Sequence, residues 1–124
     1  MSRRTLLSSL LALVGCARHS LPPELTTAEA ARSWVLGEVP VGSPIEDAQR
    51  LLQTHGCRCQ SMTGADFAPQ APSGDESAWR GIDYVYCDLR QSTGLLQARR
   101  WQFALVERDG KLADVGVSTG LIGT

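Results

Sequence analysis

The stretch Ser43-Pro44-Ile45-Glu46-Asp47-Ala48-Gln49-Arg50-Leu51-Leu52-Gln53-Thr54-His55-Gly56 decides the fold, because the residue pattern on its two sides has different periods. Ser43 suits an N-cap, Pro44 suits the first helical position, and Glu46 lies three residues after Ser43, the spacing of a capping box. Glu46 and Asp47 also suit the positive end of the helix dipole. Ile45, Ala48, Leu51 and Leu52 fall on one face at helical spacing, so a helix is predicted over Pro44–His55. Gly56 supplies the left-handed residue that ends it.

Toward the amino terminus, Thr26 and Glu29 form a second Ser/Thr-x-x-Glu pattern. They predict a weaker helix from Thr27 to Leu36, ended by Gly37, with Ala30, Ala31, Trp34 and Val35 apolar. Toward the carboxyl terminus the period becomes two. Ile82, Tyr84 and Tyr86 alternate with Asp83, Val85 and Cys87; Trp101, Phe103 and Leu105 alternate with Gln102, Ala104 and Val106. Arg108-Asp109-Gly110-Lys111 carries the Asp-Gly hairpin signal, and Leu112, Ala113, Val115 and Val117 make the return strand. Cys57 to Ser61 adds a short first strand. The predicted class is α+β: two N-terminal helices on one face of a sheet of three or four antiparallel strands, with Trp101, Phe103 and Leu105 meeting Leu51, Leu52 and Trp34. Residues 60–81 hold Pro69, Pro72, Gly64, Gly74 and Gly81 and read as a long loop pinned by Phe67 and Trp79.

The chain opens with Arg3-Arg4, followed by an uncharged apolar run from Thr5 to Val14, the pattern of an export signal and too short to span a membrane. Leu13-Val14-Gly15-Cys16 resembles the lipobox of bacterial lipoproteins. The resemblance implies a signal over 1–15, cleavage before Cys16, and lipid on that cysteine. Ala17 implies sorting to the outer membrane, facing the periplasm. Residues 16–25 read as the tether and 26–124 as the domain. Without the signal the chain has 109 residues, enough for one domain, and ten basic against 13 acidic side chains, net −3. No basic stripe suits nucleic acid.

Cys57, Cys59 and Cys87 follow an export signal, so they are expected in an oxidising compartment. On a strand Cys57 and Cys59 face one side, and either reaches Cys87. A Cys59–Cys87 bridge is preferred, because a residue just past a helix-ending glycine commonly packs back on the core, leaving Cys57 a buried thiol. The alternative is a thiol-based metal or redox module of Cys57, Cys59 and Cys87 with His55. Cys-x-Cys is atypical spacing for structural zinc, and no metal or other cofactor is expected.

No nucleophile elbow, zincin, phosphate-loop or dinucleotide motif occurs, and the histidines are His19 in the tether and His55 at a helix end. Asp83 and Asp88, flanking a strand, are the remaining paired-carboxylate candidates. No catalytic residue is expected.

The lipobox, together with Val41-Gly42-Ser43-Pro44-Ile45-Glu46-Asp47-Ala48, resembles the SmpA/OmlA-like outer-membrane lipoproteins over roughly a fifth of the chain. The resemblance implies their helix-helix-sheet fold and a role supporting outer-membrane barrel assembly. The expected function is that of a non-catalytic, lipid-anchored envelope protein that binds another envelope component. The candidate surfaces are the sheet face of Gln102, Ala104 and Val106 and the tail Val117–Ile122, which either packs on the core or adds to a partner's sheet.

Overall fold

A computed structural model describes residues 20–72 and 79–123; the signal segment, Cys16 and His19 lie outside them. Two helices, α1 (Ala28–Glu38) and α2 (Ile45–Thr54), precede four strands, β1 (Arg58–Phe67), β2 (Trp79–Ser92), β3 (Gln97–Arg108) and β4 (Lys111–Gly123). The strands form one antiparallel sheet in the order β1-β2-β3-β4. The α+β class read from the sequence is therefore the observed one.

Neither helix starts quite where its capping pattern indicates. In α1 the cap is Thr27, whose Oγ1 accepts from Ala30 N–H at 3.1 Å. The helix runs through Gly37 to Glu38 and stops short of Pro40, which disfavours helical backbone in the residue before it. In α2 the cap position is Pro44, and no side chain caps the helix. Ser43 contributes through its backbone instead. Its carbonyl accepts from Leu112 N–H at 2.8 Å, and Ile45 N–H donates to Gly110 O at 3.0 Å. The β3–β4 turn thus holds the start of α2 by backbone pairing, and Ser43 N–H, which a capping box would have given to Glu46, donates to Pro40 O at 3.1 Å.

The exit of α2 follows the reading closely. Gly56 has φ +97°. Its N–H donates to Gln53 O and Cys57 N–H donates to Leu52 O, both at 3.0 Å, the paired bonds of a Schellman ending.

The inner sheet face carries Val85, Cys87, Leu89, Trp101, Phe103, Leu105, Val115 and Val117, packed against Ala28, Ala31 and Val35 of α1 and Ile45, Ala48 and Leu52 of α2. Leu51 and Trp34 pack at its margin. Leu21 is only 2 % exposed, and its N–H donates to Gln91 Oε1 at 3.3 Å. Residues 21–25, within the span read as a tether, are therefore docked on the domain, held by two leucines.

The loop predicted over 60–81 is shorter. Strand pairing with β2 carries β1 to Phe67 although Ser61-Met62-Thr63-Gly64-Ala65 has no clean alternation. Two irregularities make this possible. The register slips between Met62 and Ala65 and again between Ala65 and Phe67, at Gly64 (φ +57°) and Gly81 (φ +60°). Asp83 Oδ1 accepts from Gly64 N–H and Asp66 Oδ1 from Gly81 N–H, each at 2.9 Å. Bulges of this kind bend a strand pair and sharpen its twist.

The segment after β1 then reaches the far side of the sheet, where Ala71 forms a bridge with Val117 of β4. Gln70 continues the pairing with its side chain, donating to Thr119 O and accepting from Thr119 N–H, both at 3.0 Å. Arg32 Nε donates to Val115 O at 2.8 Å. The edge of β4 from Val115 to Thr119 is sealed from within, which removes a template for strand addition. The tail Val117–Ile122 is accordingly part of the sheet, paired with β3, and is not a free terminus.

Candidate functional site

The outer sheet face was expected to be open at Gln102, Ala104 and Val106. The structure corrects this: Ala104 is fully buried, and Phe67, Tyr84, Trp79, Met62, Ala65 and Ile82 gather around it. The cause is the bulged end of β1 and β2, which brings Phe67 and Trp79 over β4. Gly116, opposite Ala104, is where they land. A Cβ there would lie 2.7 Å from Trp79 Cζ3 and 3.3 Å from Phe67 Cε2. Gly116→Val is therefore expected to push both rings off the sheet and to cost about 1–3 kcal/mol. Urea unfolding measures this, and near-ultraviolet circular dichroism reports the rings; an unchanged midpoint would show that the rings do not need this seat.

Beside that aromatic cluster a cleft of about 420 Å³ remains, lined by Gln60, Met62, Asp66, Phe67, Tyr84, Tyr86, Gln102 and Ser118. Its polar groups are ordered. Gln102 Nε2 donates to Tyr86 Oη at 2.8 Å, and Tyr84 Oη donates to Asp66 O at 2.9 Å. Arg100 Nη2 donates to Tyr86 Oη at 3.4 Å, while its Nε pairs with Asp88 Oδ1 at 3.1 Å. Burial pushes the Tyr84 hydroxyl above its ordinary pKa, with Tyr86 and Asp66 adding to the effect. Tyr84 is thus a neutral donor. A half-open surface of aromatic rings and pre-arranged amide and hydroxyl groups suits recognition, since such side chains lose little freedom on binding.

Comparison with protein-family models, with curated proteins and with solved structures gave no match.

Asp83 and Asp88, the sequence's candidate carboxylate pair, do not come together. Five positions apart on one strand they are roughly 17 Å distant; Asp83 holds the Gly64 bulge and Asp88 the Arg100 guanidinium. His55 Nδ1 lies 3.0 Å from Ser20 O, and its ring meets Trp34 edge-on at 5.0 Å. It ties the incoming chain to the end of α2.

Cys59 and Cys87 are register partners on β1 and β2 and form a disulfide. Cys57 is a buried free thiol, 6 % exposed. With two of the three sulfurs bonded to each other, the arrangement does not favour the thiol-metal alternative. Among the described residues no group of three His, Cys, Asp or Glu side chains is placed to hold a metal.

Burial, and secondarily the Asp88 charge, pushes the Cys57 thiol up to about 12. A free thiol near 8.5 is about a quarter thiolate at pH 8, so alkylation of folded Cys57 should be about a thousandfold slower than in guanidinium. Iodoacetamide labelling followed by mass spectrometry checks this; equal rates would sink it. The raised thiol leaves stability unchanged below the ordinary thiol pKa, and stability falls as pH rises from there toward 12, because the unfolded chain loses its proton first.

The sequence did not disclose Phe67, Tyr84 and Tyr86 as one site. The available signals were Gly64, Gly81 and Gly116, which allow two bulges and a close ring approach, but each reads as an ordinary glycine until the strands are paired.

Proposed function

We propose that this chain is a non-catalytic, lipid-anchored protein of the bacterial cell envelope. In this reading it is held at Cys16, in the outer membrane facing the periplasm, and works by binding another envelope component. The anchor rests on Arg3-Arg4, the apolar run and Leu13-Val14-Gly15-Cys16. The binding role rests on one observation: the outer sheet face is covered at one end only, and the rest presents the ordered Tyr86–Gln102 surface beside Met62 and Gln60. Among the described residues no helix is long and apolar enough to cross a membrane.

Two measurements test it. Intact mass of protein extracted from its own membranes without reductant should show a chain beginning at Cys16 with acyl groups and two hydrogens missing. A chain beginning at Met1, or one without acyl groups, refutes the anchor. A photo-crosslinking residue at Gln60 or at Ser118 in living cells should give the same discrete adduct from both positions and none from Asp109. No adduct at Gln60 and Ser118, or equal adducts from all three, refutes the binding surface.

A further inference from the structure

The first described residues are fixed to one end of the sheet. Ser20 O meets His55 at the C-terminal end of α2, and Leu21 N–H meets Gln91, two positions before the turn that joins β2 to β3. Ser20 lies four positions after Cys16, and four chain steps span at most about 14 Å whatever their conformation. If Cys16 bears lipid, this end of the sheet stays within that distance of the bilayer surface.

The same end has a distinct chemistry. Leu95, at the β2–β3 turn, is 100 % exposed, and Leu96 beside it is 65 % exposed. Leu121, which pairs with Arg99 on the adjoining strand, is 60 % exposed. These three and Val41 are the large exposed apolar side chains among the described residues. Arg58, Arg90, Arg99 and Arg100 lie on the strand segments of this end, against Asp88. The opposite end bears Asp66, Asp83, Asp109 and Asp114, with Arg80, Arg108 and Lys111 among them. Apolar tips flanked by arginines that outnumber the carboxylates are the composition of a surface that sits at a lipid headgroup layer.

We propose that the β2–β3 hairpin tip, with Leu95, Leu96 and Leu121, inserts into the headgroup region of the membrane that holds the lipid. Arg90 and Arg99 then face the phosphates, and the domain stands on the bilayer with its sheet axis upright. The inference rests on lipidation at Cys16 and deepens that reading by adding a second membrane contact and a fixed orientation. The orientation leaves the Tyr86–Gln102 cleft, on the side of the sheet, directed along the membrane plane.

The test uses the acylated protein extracted from its own membranes, reconstituted into vesicles of phosphatidylethanolamine and phosphatidylglycerol. A nitroxide is placed on Leu95→Cys, on Leu121→Cys, or on Asp109→Cys as the far-end control. The native thiols do not compete, since Cys57 is buried and Cys59 and Cys87 are bonded. Relaxation by oxygen relative to a water-soluble nickel chelate should be several-fold higher at positions 95 and 121 than at 109. A label at 95 as open to nickel as that at 109 overturns the inference and leaves the anchor standing. A label shielded from both relaxants indicates a protein contact and likewise overturns it. An intact mass without acyl groups overturns the anchor and the inference together.

Discussion

Removing the disulfide with Cys59→Ala/Cys87→Ala is expected to lower stability by about 3.5 kcal/mol, from the loop-closure entropy of a 28-residue separation. A domain of this size has roughly 5–10 kcal/mol in all, so the loss is a large fraction; it corresponds to a fall in Tm of about 15–25 °C. The consequence is also local. The loop it closes contains the segment whose Gln70 and Ala71 seal the edge of β4, and the bulged strand ends that carry Phe67 and Trp79 over Gly116. Freeing it in the unfolded chain makes all of these harder to assemble. Urea unfolding of the wild type with reductant should approach the variant, and the variant should be indifferent to reductant. A variant within about 1 kcal/mol of the oxidised wild type would mean that the unfolded chain already holds β1 near β2.

Leu52→Ala is expected to cost about 2–5 kcal/mol, the range for a buried leucine whose site cannot collapse. Leu52 is fully buried in the layer between α2 and the sheet. The helix has ten residues, too few to persist without packing, and it docks through Ile45, Ala48 and Leu52 with Leu51 at the margin. Leu52 O also receives the Cys57 and His55 N–H groups that end the helix. Losing the side chain therefore loosens the turn that aims Cys59 at Cys87. Denaturant midpoints measure the cost, and hydrogen exchange of α2 amides locates it. A loss below about 1 kcal/mol would show that α2 is held mainly through its start, where Ile45 N–H meets Gly110 O.

The sequence by itself determined the order and class of the elements, because local periods and terminators are written in neighbouring residues. Ile45, Ala48 and Leu52 recur at helical spacing and Gly56 ends the helix; Trp101, Phe103 and Leu105 alternate; Asp109-Gly110 turns the chain. It favoured Cys59 over Cys57 as the partner of Cys87 without deciding between them, since two cysteines two apart on a strand face the same side; the β1–β2 register decided it. Everything that depended on which segments lie opposite each other was decided by the tertiary structure. The alternation of Gln102, Ala104 and Val106 marks the outer face but carries no sign that Phe67 and Trp79 will cover Ala104, because that needs two bulges acting together across paired strands. At the start of α2 no Ser43 side-chain cap forms, and the helix is held instead by backbone bonds to a hairpin turn 65 or more residues further on. The fixing of Leu21 to Gln91 is likewise a contact between residues 70 apart. Pairings at that separation are set by the packing of the whole chain, which no local pattern records.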